Sequence, residues 1–129
     1  MSEDLDADTI IDQILDFDPR YPRQAYGFIM EGLKHTTSRL PVRRHVTGQE
    51  LSLGIRDYAI SQYGIAAGLV FDQWGLTQTR DFGEIVFNLI QAGLMRKTDE
   101  DSLDDFNDVF DFETEFDKKY VIAVDKTQL

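Results

Sequence analysis

Five blocks of apolar residues at helical spacing, each closed by a proline or a glycine, restrict this chain to a mainly α fold. Ile10, Ile11, Ile14 and Phe17 set the first block. Asp18-Pro19-Arg20-Tyr21-Pro22 ends it, because the residue before a proline is pushed away from helical angles. Pro22 suits the first turn of a second helix, expected to run to about Arg39 with Ala25, Tyr26, Ile29, Leu33, Thr36, Thr37 and Leu40 as its stripe. Thr47-Gly48-Gln49-Glu50 has the residues of a capping box: the threonine oxygen can accept the third helical amide while the glutamate reaches back. The third helix then shows Leu51, Ile55, Tyr58, Ala59 and Gln62 on one face and stops at Gly64. A fourth, roughly 65–74, is apolar on most sides, so it is expected to be central, with Phe71 and Trp74 largely buried. Thr79 is a second cap candidate, for a fifth helix that turns Phe82, Ile85, Val86, Leu89 and Ile90 inward. Gly93 stops it, and Leu94 can fold back over its last turn.

Beyond Gly93 the pattern changes. Leu94 to Thr98 reads as a strand, Phe106 to Phe112 as its antiparallel return, and Tyr120-Val121-Ile122-Ala123-Val124 as the strand richest in β-branched residues. The expected fold is therefore mainly α with a small antiparallel β element, and its outline is winged-helix-like. A chain of 129 residues fits one domain, with a helical core over about 5–92 and a β/acidic segment over about 94–129. At that length roughly two-thirds of the unfolded surface can be buried.

The net charge of −11 is unevenly spread. Residues 1–19 hold seven acids and no base, residues 20–97 are mildly basic, and residues 99–117 hold ten acids and no base. Phosphates would meet a repulsive field, so nucleic acid is a poor default partner for the chain as a whole. Phe106, Phe110, Phe112 and Phe116 interrupt the acidic stretch and argue against a solvated tail. The chain has no cysteine, which removes disulfides and thiolate chemistry and fits a reducing compartment. An acidic first segment and the lack of a run of about 20 apolar residues lead to the expectation of a cytoplasmic protein with no membrane contact.

Motifs that carry chemistry are sparse. Asp81-Phe82-Gly83 spells the magnesium triplet of kinases but opens a helix, where Asp81 serves as a favourable negative charge. Asp99 to Asp104 imitates the start of a calcium loop and then fails, with Leu103, Asp104 and Phe110 at positions 5, 6 and 12. His35 and His45 stand at no metal-ligand spacing. No catalytic, metal or cofactor residues are assigned, and no cofactor is expected. The densest positive cluster is Arg39, Arg43, Arg44 and His45, with Arg56 one helix later. Its plain interpretation is a solvated connection between helices. Its functional one is contact with an anion or an acidic partner, which the chain's own acidic segment could supply.

Three stretches are distinctive: Asp18-Pro19-Arg20-Tyr21-Pro22-Arg23-Gln24-Ala25-Tyr26, Arg44-His45-Val46-Thr47-Gly48-Gln49-Glu50-Leu51, and Thr79 to Ile90, reading TRDFGEIVFNLI. With Lys97 to Asp101 and Phe110-Asp111-Phe112, they resemble a small uncharacterised bacterial family of hypothetical proteins, of planctomycete and verrucomicrobial type. The resemblance covers about residues 10 to 117. It implies no activity, and residues 118–129 lie outside it. The expected function is a non-catalytic protein-interaction or regulatory module, binding another protein or a second copy of itself. The alternative is a winged-helix nucleic-acid binder with residues 79–92 as recognition helix and Arg80, Asn88 and Gln91 as contacts, although its wing between Lys97 and Phe106 would be acidic. An enzyme built on buried carboxylates ranks third.

Overall fold

The computed structural model describes residues 6–42, 44–98 and 101–118. Five α-helices follow in order: α1 (Ala7–Phe17), α2 (Arg23–Ser38), α3 (Gly48–Tyr63), α4 (Ala67–Gln73) and α5 (Thr79–Gln91). A 3₁₀ turn, Gly64–Ala66, joins α3 to α4. A second 3₁₀ helix, Leu103–Phe106, and a π-helical turn, Glu113–Lys118, follow α5.

Local chemistry sets the helix ends. Asp6 accepts the Thr9 amide at 2.8 Å and starts α1. The capping box at α3 forms: the Glu50 amide donates to Thr47 Oγ1 at 3.0 Å and the Thr47 amide to Glu50 Oε1 at 2.9 Å. Gly93 takes a φ of 87°, and the Leu94 amide reaches back to the Leu89 carbonyl at 2.9 Å, closing α5 in the manner of a Schellman motif.

α2 and α3 share the largest helix–helix contact, and α5 touches α1, α2, α3 and the second 3₁₀ helix. Ile29, Ile55, Phe82, Ile85 and Leu89 are fully buried between them. Phe71 on α4 is also fully buried, and its ring centroid lies 5.2–5.7 Å from those of Phe28, Phe82, Phe112 and Phe116. It therefore joins the helical core to the segment after α5.

Three expectations are corrected. No strand forms among the described residues. Leu94 to Thr98 runs without a partner strand, and Phe106 to Phe112 is the end of a 3₁₀ helix followed by turns. The reason is local: Ser102 Oγ accepts the Asp104 amide at 3.1 Å and Asp105 accepts the Ser102 amide at 3.2 Å, bonds that draw the backbone into a turn. Tyr120 to Val124 lies outside the described residues, and without the β element the winged-helix outline is not seen. The α4 region is one-sided rather than central: Ile65 and Leu69 are 59% and 62% exposed, and Trp74 is only partly buried. Thr79 is not a cap. It is buried in the first turn of α5, where its hydroxyl donates to the Phe106 carbonyl at 2.6 Å and accepts the Val109 amide at 3.1 Å.

Candidate functional site

The polar residues of the distinctive sequence segments bind one another. Asp18, at the end of α1, accepts Arg20 Nε at 2.9 Å, Arg20 Nη2 at 2.8 Å and the Asn88 side-chain amide at 2.8 Å. Asn88 also donates to the Tyr26 hydroxyl at 2.9 Å. Tyr21 is buried and donates its hydroxyl to Asp81 at 2.7 Å, while Asp81 also accepts the Thr77 amide at 2.9 Å. The Arg20 guanidinium holds the Asp18 carboxyl well below the usual carboxylate range. Burial, and then the bond to Asp81, push the Tyr21 phenol far above its ordinary value, so it stays a donor. This network ties the loop after α1 onto α5. Its polar groups are used up in holding the fold.

The positive cluster is not assembled as one patch. Arg39 lies 3.1 Å from the His35 ring and 4.0 Å from Asp57. Arg44 is paired through both nitrogens with Glu50, at 3.0 and 2.8 Å, which depresses the Glu50 carboxyl to about 2. Arg43 lies outside the described residues. His45 and Arg56 do meet the acidic segment: His45 Nε2 is 2.9 Å from Asp101, and Arg56 is 3.6 Å from Glu115. Burial alone would raise Asp101, but the Thr98 amide and the His45 ring outweigh it and bring the carboxyl below its ordinary value. Of the contacts a recognition helix would need, Arg80 engages Asp104, Glu84 and Asn107, and Asn88 is taken by Asp18 and Tyr26. Among the described residues no group of three or more histidines and acids is arranged to hold a metal ion. None of their helices is long and apolar enough to cross a membrane.

Among the described residues two concavities stand out. One, of about 360 Å³, is a cleft between α2, α3, α5 and residues 94–96 and 101–106; Leu33, Leu51, Val86 and Ile90 form apolar parts of its wall, and Arg44, His45, Arg96 and Asp101 also line it. The other is a shallower groove of about 640 Å³ beside α4, lined by Ile65, Leu69, Leu76, Phe112 and Phe116 and by the acids Asp72, Asp111 and Glu113.

Sequence reasoning identified neither. Its signals were present but local: Ile65 and Leu69 are four residues apart and share a helical face, yet nothing in the pattern told that face from a buried one. Leu94, Met95 and Arg96 carry the pattern of a strand that does not form, and their packing onto α5 makes them a cleft wall instead. Compared with known proteins, the chain matches no family model, no curated protein and no solved structure.

Proposed function

We propose that this chain is a non-catalytic interaction module that docks a segment of another protein in the groove beside α4. One observation carries the proposal: Ile65 and Leu69 are 59% and 62% exposed side by side, at the mouth of a groove walled by Phe112 and Phe116. Large apolar side chains left together in water mark contact surfaces. Among the described residues the groove's charged lining is acidic, Asp72, Asp111 and Glu113, so the occupant that fits is a segment with apolar anchors flanked by lysine or arginine. The engagement of Arg80 and Asn88 within the fold supports this reading over a winged-helix nucleic-acid binder. The absence of cysteine fits a cytoplasmic setting. Kinship with the bacterial family that the chain resembles is part of the proposal and brings no activity with it.

The test is an array of peptides with leucine or phenylalanine anchors flanked by lysines or by glutamates, read with the full chain and with Leu69→Asp. Lysine-flanked peptides are expected to be retained, and the variant to lose them. Retention by Leu69→Asp equal to that of the native chain, or preference for glutamate flanks, would sink the reading. A groove filled by residues 119–129 of the chain itself would show as weak retention that rises when they are removed.

A further inference from the structure

The cleft beneath Leu94 and Met95 is a different opening with different chemistry. Its volume, about 360 Å³, is that of a small-molecule site rather than of a protein-docking face. Its deep wall is hydrocarbon, with Leu51 and Val86 nearly buried.

The charged groups around it are unequal in how far they are satisfied. Asp101 accepts the Thr98 amide at 2.8 Å and lies 3.0 Å from the His45 ring nitrogen. Asp105 accepts the Ser102 amide at 3.2 Å. Arg44 is taken by Glu50 through both nitrogens. Arg96 alone of these makes no ion pair or side-chain hydrogen bond among the described residues. Asp101 and Asp105 are each held by a backbone amide, and among the described residues Arg96 is the charged group of the lining that has no partner.

We propose that this cleft binds a small amphipathic carboxylate, of the class of medium-chain fatty acids, with its hydrocarbon among Leu33, Leu51, Val86 and Ile90 and its carboxylate on Arg96. The guanidinium fork matches a carboxylate in shape as well as sign. An exposed ion pair is weak, so the apolar wall supplies most of the affinity and Arg96 selects the polar end. The chain length is set by the cavity, and each further methylene that fits is expected to tighten binding about fourfold.

Amide chemical shifts of the full chain, titrated with octanoate, 1-octanol and octylammonium below their aggregation limits, test this. Octanoate is expected to saturate with shifts confined to residues around the cleft, and hexanoate, two methylenes shorter, to bind about sixteenfold more weakly. Arg96→Gln should weaken octanoate about twofold to fivefold while leaving 1-octanol unchanged. Thr37→Trp, placed on a partly exposed wall, should block both ligands. Should that variant unfold, Arg96→Gln and the shift map still decide. Octylammonium binding as tightly as octanoate, an Arg96→Gln variant that loses nothing, shifts centred elsewhere or no saturation would each overturn the proposal. Leu69→Asp leaves this cleft untouched, so its result and that of the groove beside α4 are independent.

Discussion

α5 carries two attachments made by opposite means. The loop from Asp18 to Pro22 is fastened by a polar network in which Asp18, Arg20, Tyr21, Asp81 and Asn88 find partners at 2.7–2.9 Å. The acidic segment after Thr98 is fastened by rings: Phe106 and Phe116 are buried and Phe110 and Phe112 pack against the core, while Asp101, Asp104 and Glu115 meet His45, Arg80 and Arg56. Each buried phenylalanine contributes roughly 1.5–3 kcal/mol, against ~0–1 kcal/mol for an exposed ion pair. Aromatic burial therefore decides that the segment lies on the core, and charge only trims its placement. The loop has little apolar area besides Tyr21, so directed bonds must fix its position. The comparison teaches that a strongly acidic stretch can be well packed when its rings, rather than its charges, make the attachment.

The comparison breaks most completely if the rings are removed. Replacing Phe106, Phe110, Phe112 and Phe116 by serine is expected to cost well over ~5 kcal/mol, since each fully buried ring truncated costs about 3–5 kcal/mol. Limited proteolysis should then cut between residues 101 and 116. A segment still resistant to cleavage would show that charge holds it after all.

A narrower change loosens the same segment alone. A Cβ on Gly83 would meet Leu103 Cδ1 and the Phe106 ring at 2.8 Å, and a ring cannot give way as a flexible chain end can. Gly83→Ala is expected to cost about 2 kcal/mol in chemical denaturation. Amide exchange should quicken over 101–116 and stay unchanged around Tyr21. Equal loss of protection on both sides of α5 would refute the independence of the two attachments.

On the polar side, Asp18→Ala should cost about 1.5 kcal/mol, because it strips a charged acceptor from Arg20 and Asn88. It should also change the acid limb of stability. The Asp18 and Glu50 carboxyls are depressed in the folded chain, so the unfolded chain binds more protons as pH falls. Their stabilisation is complete above the ordinary carboxylate range, near pH 4, and is lost as pH drops through the folded values. Stability measured from pH 6 to pH 2 should fall below about pH 4, and less steeply in the variant. An unchanged slope would remove Asp18 from the account.

The smallest effects belong to α3 and its flank. Thr47→Ala should cost about 1 kcal/mol by losing the cap. Arg39→Gln together with Arg44→Gln should cost less than the lost cap, since both pairs are exposed. Thermal unfolding ranks the two, and the reverse order would mean that the arginine connection does more than bridge α2 and α3.

All five helices were legible in order because their signals are local. A cap, a proline, a left-handed glycine or a stripe at helical spacing acts within a few residues, whatever surrounds it. The capping box at Thr47 and the stop at Gly93 formed as read. What failed needed neighbours distant in sequence. A strand exists only with a partner, and Leu94 to Thr98 has none among the described residues. Thr79 looked like a cap because its partner Phe106, 27 residues away, could not be seen in the pattern. Arg39, Arg44, His45 and Arg56 are close in sequence, yet folding spreads them: Arg39 and Arg56 share Asp57, Arg44 takes Glu50, and His45 takes Asp101. The sequence alone thus determined where helices begin and end and that the acidic stretch carries enough aromatic surface to pack. Tertiary structure alone decided which face of α4 stays open and which arginine beside the cleft has no counter-ion among the described residues, because burial and pairing depend on what the rest of the chain brings near.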